Sequence, residues 1–252
     1  MASPLLEVEG LTVLRDNDSH LLSDLSFTLS AGEVLVLRGV SGSGKSTLLK
    51  CIAELNLYHK GKISLDGKQS REWDIPDWRI KVAYVPQRPS LLPGTPLEFL
   101  DTVRNLRARQ KQKEKQKQDE THDAQLQQQT KGSDTLDPLS LAQEWGIDKT
   151  LWTREWGTLS GGESQRIALA VAVAIGGAEV LLLDEPTSAL DADSSDKVER
   201  SLLEMLPPAQ GQTTLHNGIR RKGTGPKALI WITHSTEQAE RVGTKDLDLS
   251  RH

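Results

Sequence analysis

At 252 residues the chain is long enough for one large or two small globular units with a buried core. Its 31 Lys and Arg against 35 Asp and Glu leave a net charge of −4, and the one concentrated basic run lies in low-complexity sequence, so nucleic acid is not expected as a main partner. A single cysteine excludes an internal disulfide framework and a cysteine-rich metal site, and no window approaches the length of apolar residues that spans a membrane.

The first residues, 1–7, lack a basic stretch followed by an apolar one, so no secretory signal is expected. Residues 5–15 alternate and read as a strand, 16–19 as a turn, and 25–29 repeat the period of two. A short β-rich run, 33–38, then feeds Gly39-Val40-Ser41-Gly42-Ser43-Gly44-Lys45-Ser46-Thr47, and residues of helical composition follow. Strand, glycine loop and helix in that order make an anion cradle. The glycines let the backbone turn tightly, and the helix start adds its partial positive charge. Lys45 can reach the β- and γ-phosphates of a nucleoside triphosphate, and the Ser46 hydroxyl can ligate Mg2+ held by the same oxygens. Cys51 lies in the apolar run behind this loop and reads as a buried small side chain.

Residues 61–67 read as a short strand closed by Asp66-Gly67, and 82–87 as an apolar strand ending in Pro86-Gln87. Gln87 then points an amide off the sheet edge, where it can hold a metal or a water. From about 104 to 137 the composition turns to Gln, Lys and Glu, with almost nothing apolar to bury, and predicts a solvated helix extension or a disordered insert. Helical spacing returns at 139–146. Ser160 is a candidate N-cap with Glu163 at N3, ahead of an apolar helix, and Gly161 and Gly162 expose backbone donors there.

The uninterrupted apolar run 180–183 ends in Asp184 and Glu185, which predicts a strand buried on both faces with two acids at its carboxyl edge, where ligands sit in parallel sheets. Asp184 is placed to hold Mg2+ through its water shell and Glu185 to polarise an attacking water. A helix is expected to about Leu206, then a loop insertion over about 207–227, then a second buried strand, 228–234, whose polar end presents His234 to the same edge.

Together these pieces resemble the nucleotide-binding domain of the ATP-binding cassette (ABC) family over essentially the whole chain outside the two inserts. Gly39 to Ser46 match the Walker A loop, Gln87 the Q-loop, Leu159-Ser160-Gly161-Gly162-Glu163 the signature motif, and Val180 to Glu185 the Walker B strand and catalytic glutamate. Ser188 to Asp191 match the D-loop and His234 the switch histidine. The resemblance implies an α/β fold: a P-loop NTPase parallel-sheet core, an antiparallel β layer and a helical signature subdomain, as one domain over 1–252. It implies ATP and Mg2+ as ligands, ATPase activity, and two domains paired head-to-tail, most simply a homodimer. Lys45 and Ser46 of one copy would then face Ser160, Gly161 and Gly162 of the other across the nucleotide. A separate transmembrane permease is implied as a further partner, with the chain peripheral on the cytoplasmic face of a membrane.

Three positions depart from that pattern. The aromatic that usually stacks on adenine is absent; Leu14 or Arg15 stands near its place, and Arg15 can stack by its guanidinium plane. Val171 replaces an arginine after the signature helix, and Ser235 an aspartate after the switch histidine. Within the family the region 82–95 is most similar to ATP-binding subunits of bacterial iron or metal export systems. A soluble ABC ATPase of assembly or repair, such as one acting on iron–sulfur scaffolds, is the alternative. A module that binds ATP without turning it over fits poorly with Glu185 and His234.

Overall fold

A computed structural model describes residues 3–88, 93–106, 136–209, 215–216, 219–220, 223 and 225–251. Most of the Gln/Lys-rich insert expected over about 104–137 lies outside these residues. Two sheets organise the chain. Strands β1 (Leu6–Leu14), β2 (His20–Leu29), β4 (Lys60–Leu65) and β5 (Lys68–Gln69) form an antiparallel sheet in the order β2-β1-β4-β5. Strands β3 (Val34–Arg38), β6 (Val82–Val85), β7 (Val180–Asp184), β10 (Ala228–Ile232) and β11 (Lys245–Asp248) form a parallel sheet in the order β11-β3-β10-β7-β6.

The parallel sheet divides two cores. Along β3, Val34 and Val36 face one core while Leu35 and Leu37 face the other, and β7 repeats this with Leu181 and Leu183 against Val180 and Leu182. Burial on both faces is why these strands read as unbroken apolar runs. On one side they pack against the antiparallel sheet, α1 (Lys45–Ile52) and α2 (Ile75–Lys81); on the other against α3 (Pro96–Arg104), α4 (Pro138–Glu144), α5 (Gly161–Ala174), α6 (Ala192–Met205) and α7 (Thr236–Val242). Cys51 is fully buried, and burial, with Glu54 nearby, pushes its thiol up to about 11. The thiol is therefore inert at neutral pH.

The alternation predicted for the amino-terminal strands is present; the helical spacing at 139–146 appears as Pro138–Glu144, and the helix expected after Ser160 runs Gly161–Ala174. The 207–227 stretch, expected as a loop, contributes β8 (Leu215–His216) paired antiparallel with β9 (Ile219–Arg220). Backbone hydrogen bonds from Gly223 to Leu206 and from Gly225 to Met205 fasten it to the end of α6. Strand β11 and helix α2 have no counterpart in the sequence reading. β11 is an edge strand of sequence Lys-Asp-Leu-Asp, whose charges blunt the edge and hide the apolar signal.

The amino ends of the central strands are tied by one acid. Glu179 pairs with Lys81 and Lys227, each at 2.7 Å, and its carbonyl accepts from the N–H groups of Lys227 and Ala228. Burial pushes its carboxyl up, but the hydrogen bonds and charges of Lys227 and Lys81 outweigh that and hold it below its ordinary 4.5. A depressed carboxylate stabilises the fold above its unfolded pKa, and that contribution is lost as pH falls through the folded one. Glu179→Gln should therefore cost about 1 kcal/mol at pH 7. In urea unfolding the gap to the parent should begin to narrow as pH drops below 4.5 and close as pH falls through the lower folded value. A gap of equal size at pH 7 and pH 3.5 would show that charge plays no part.

Candidate functional site

The register of the parallel sheet brings four carboxyl ends together. Ile232 lies beside both Leu37 and Asp184, and Val85 beside Leu183, so the segments leaving β3, β6, β7 and β10 emerge at one edge. From β3 the chain enters a loop with Gly39, Gly42 and Gly44 at φ of 145°, 79° and 95°, which side chains with a Cβ resist. At Gly39 an added Cβ would also lie 2.7 Å from Ser43 Oγ. Lys45 is only 6% exposed; its Nζ reaches back over the loop and donates to the carbonyls of Gly39 (2.9 Å) and Val40 (3.0 Å). Ser43 Oγ is buried with no hydrogen-bond partner among the described residues. A positive-φ glycine loop, an internal ammonium and an orphaned buried hydroxyl fit a polyphosphate and the cation bound to it.

Beside the loop, β7 ends in Asp184, which is 4% exposed. Its Oδ1 accepts from Ser46 Oγ at 3.1 Å, so two of the three residues assigned to a metal from sequence, 138 positions apart, do meet, while the third, Gln87, has its amide on Glu185. Its Oδ2 accepts from the Tyr84 phenol at 2.8 Å. Burial, and then this hydrogen bond, pushes the Tyr84 hydroxyl well above its ordinary value, so it stays a donor. Glu185 follows in the left-handed region at φ 48°, a conformation that costs a non-glycine residue about 1–3 kcal/mol. Its carboxylate is held from two sides: Gln87 Nε2 donates to Oε2 at 2.6 Å, and His234 Nε2 lies 2.9 Å from Oε1. His234 is aimed by the helix just after it. Ser235 caps α7, and Gln238 in that helix donates to Thr187 and to the buried Glu199, which Arg241 also grips at 2.7 Å.

The third group of sequence candidates lies apart. Ser160 caps α5 and forms the expected reciprocal pair with Glu163, whose carboxyl is held below its ordinary value by the backbone N–H of Ser160 and then by its hydroxyl. A Cβ at Gly162 would come within 2.9 Å of the Ala189 carbonyl oxygen, so glycine is needed for α5 to sit this close to the turn after Glu185. Among the described residues no hydrogen bond joins Ser160, Gly161 or Gly162 to the phosphate loop of the same chain. Arg15 sits in the exposed turn between β1 and β2, and Leu21 and Leu22 of β2 are the side chains nearest Gly44. No hydrogen bond or ion pair among the described residues links the Arg15 side chain to the loop. The sequence reading missed Tyr84 and Gln165, the latter a buried glutamine of α5 that contacts the backbone on both sides of the Glu185 cluster.

A family model described as ABC transporter matches residues 22–188, which include the glycine loop, the α5 start and both acids at the end of β7, Asp184 and Glu185. The chain belongs to the ABC transporter family. It carries that family's cassette, an ATPase that binds ATP with Mg2+. An ATP-dependent lipid A-core flippase of Alcanivorax borkumensis is 34% identical over 210 residues, 83% of this chain and 33% of that protein. The chain thus spans about a third of the length of that relative. The probable iron export ATP-binding protein FetA of Escherichia coli is 29% identical over 94% of this chain and 87% of its own length. A dimeric ATP-binding cassette solved in a post-hydrolysis state with ADP and Pi superposes with a TM-score of 0.70 at 22% identity, covering 96% of this chain and 93% of that one, and shares its fold.

Two departures from the ABC pattern have structural accounts. Val171 lies on the buried face of α5, where it adds to the core. Ser235 provides the α7 cap, accepting from the Gln238 N–H at 3.2 Å, a task that an aspartate would also perform. Among the described residues no helix is long and apolar enough to cross a membrane.

Proposed function

We propose that this cassette is the ATP-hydrolysing subunit that drives a separate membrane permease, with a metal ion as the candidate solute, from the cytoplasmic face of the membrane. The observation that carries the proposal is the Glu185 carboxylate held between Gln87 and His234, next to the Ser46–Asp184 pair and the glycine loop. Residues 39–47 cradle the phosphates, and Lys45 turns from its two loop carbonyls to the β- and γ-oxygens. Ser46, Asp184 and Gln87 would hold Mg2+, which when bound neutralises phosphate charge and favours departure of the γ-phosphoryl group. Glu185 accepts the proton of the attacking water, and His234 and Gln87 fix the carboxylate for that step. Arg15 is the candidate stacking partner of adenine through its guanidinium plane.

Among the described residues, Ser160, Gly161 and Gly162 make no hydrogen bond to the glycine loop of their own copy, which supports a second copy placed so that this helix start completes the site across the nucleotide. The metal-ion solute rests on similarity to FetA over most of that protein's length.

Pairing makes an immediate prediction. Specific Mg-ATPase activity should rise with protein concentration as copies associate, before reaching a plateau. A specific activity independent of concentration down to the nanomolar range, in protein that light scattering shows to be monomeric, would overturn the composite site. Detergent extraction of membranes from cells that express the tagged chain should recover a polytopic membrane protein with it. Recovery of the chain without one would remove the permease.

A further inference from the structure

Helix α5 has its start at Ser160, and one and a half turns in, its inner face carries Gln165, 3% exposed. The side-chain amide makes three hydrogen bonds, all to backbone and to three different motifs. Nε2 donates to the carbonyl of Gln87 at 3.0 Å and to the carbonyl of Glu185 at 2.9 Å, and Oε1 accepts from the N–H of Ala189 at 3.2 Å. The demand is for two donors and one acceptor at the end of a two-methylene stem, and glutamine alone has that inventory at that length. Glutamate would set a carboxylate oxygen against both carbonyls, asparagine would fall short, and an apolar residue would leave all three groups without this partner.

The atoms that it binds are those whose placement decides the site. Gln87 and Glu185 hold one another through their side chains, and Gln165 holds the same two residues through their carbonyls, so their relative position is fixed at both ends. Glu185 is also the residue in the left-handed region, and such a conformation persists only where its surroundings over-determine it. Its carbonyl is gripped by Gln165, by the Ser188 N–H and by the Ser188 hydroxyl. The closeness of Gly162 to Ala189 is what brings the helix near enough for the amide to reach.

We propose that Gln165 is a positioning residue for ATP hydrolysis: its amide fixes the Gln87 carbonyl, the Glu185 carbonyl and the Ala189 N–H as one unit, and through them sets the direction of the Glu185 carboxylate. It touches neither nucleotide nor water. The inference rests on the ATPase reading of the site, with Glu185 as the base. It adds that the α5 start, which would meet the second copy's nucleotide, and the base of its own copy belong to one rigid piece joined by this side chain.

The test uses Gln165→Met, close in size and free of donors, in the full-length chain. Amide hydrogen exchange at Ala189 should quicken by about tenfold or more. The kcat for Mg-ATP should fall by about tenfold or more, with KM and nucleotide affinity within about threefold of the parent. Combined with Glu185→Gln, the second change should slow turnover no further, because both act through one carboxylate. Should Gln165→Met fail to fold, Gln165→Glu, which loses both donors and keeps the acceptor for Ala189, is read through kcat, KM and the double variant, with Ala189 exchange expected to stay as in the parent. In Gln165→Met, unchanged exchange at Ala189 would overturn the proposal, and so would loss of all three bonds with kcat intact, or kcat losses that multiply in the double variant. A parent chain that binds ATP and never hydrolyses it would instead remove the ATPase reading. Ala189 exchange would still report whether Gln165 holds the unit together.

Discussion

Glu185→Gln should lower kcat for Mg-ATP by about two to four orders of magnitude while leaving ATP affinity equal to or tighter than that of the parent. The carboxylate at this position accepts from Gln87 on one oxygen and lies within hydrogen-bond distance of His234 Nε2 on the other. An amide there can accept through one oxygen only, and its nitrogen has too little basicity to take a proton from water. Binding is spared because the elements proposed to hold phosphate are elsewhere: the glycine loop, Lys45 and the Ser46–Asp184 pair keep every contact that they make. Removing a negative charge from the neighbourhood of the γ-phosphate also relieves repulsion. With turnover stopped and ATP bound, two copies should remain together, seen as a shift from monomer to dimer in light scattering when Mg-ATP is added. Hydrolysis within a few fold of the parent would mean that another group takes the proton. A variant that bound ATP and stayed monomeric would break the link between nucleotide and pairing.

How much of this site the sequence makes legible depends on how local each signal is. The phosphate loop is legible because its nine residues act as neighbours: glycines at fixed offsets, a lysine and a hydroxyl at the helix start. Asp184 and Glu185 are legible because a strand buried on both faces leaves an unbroken apolar run, and its end marks the carboxyl edge. Gln87 and His234 are weaker signals taken singly, since a polar residue at a strand end is usually a surface residue. What joins them to Glu185 is the register of β6, β7 and β10, a property of the assembled sheet.

Tyr84 and Gln165 lay beyond reach for a further reason. Tyr84 looks like an ordinary aromatic in a strand, and its function is a hydrogen bond to Asp184, 100 residues away. Gln165 binds only main-chain atoms, which any sequence supplies, so no residue type elsewhere in the chain points back to it. β11 was hidden by its edge position, and the β8–β9 pair by strands of two residues each, too short for a period to show.

Lys45→Ala should weaken Mg-ATP binding by about a hundredfold, close to 3 kcal/mol, with a loss of fold stability of only about 1 kcal/mol. The two magnitudes separate because the lysine has two sets of partners. Its Nζ donates to the Gly39 and Val40 carbonyls, and losing those bonds exposes two loop acceptors that water can satisfy. Alanine at the first position of α1 favours the helix, which limits the cost further. Toward nucleotide the ammonium has no such substitute. The loop's remaining donors are uncharged N–H groups, and the Ser43 hydroxyl, orphaned in its buried position, adds a dipole and no charge. Lys45→Arg tells charge from shape: the guanidinium is bulkier and planar where lysine, only 6% exposed, presents a compact ammonium to two loop carbonyls, so arginine should bind nucleotide nearly as poorly as alanine. Isothermal titration with Mg-ATP, alongside urea unfolding of the same variants, measures both quantities. If Lys45→Arg bound like the parent, the lysine would be acting as a charge at the loop's edge. An unaltered affinity in Lys45→Ala would leave the glycine loop and α1 to hold the phosphates through their backbone alone.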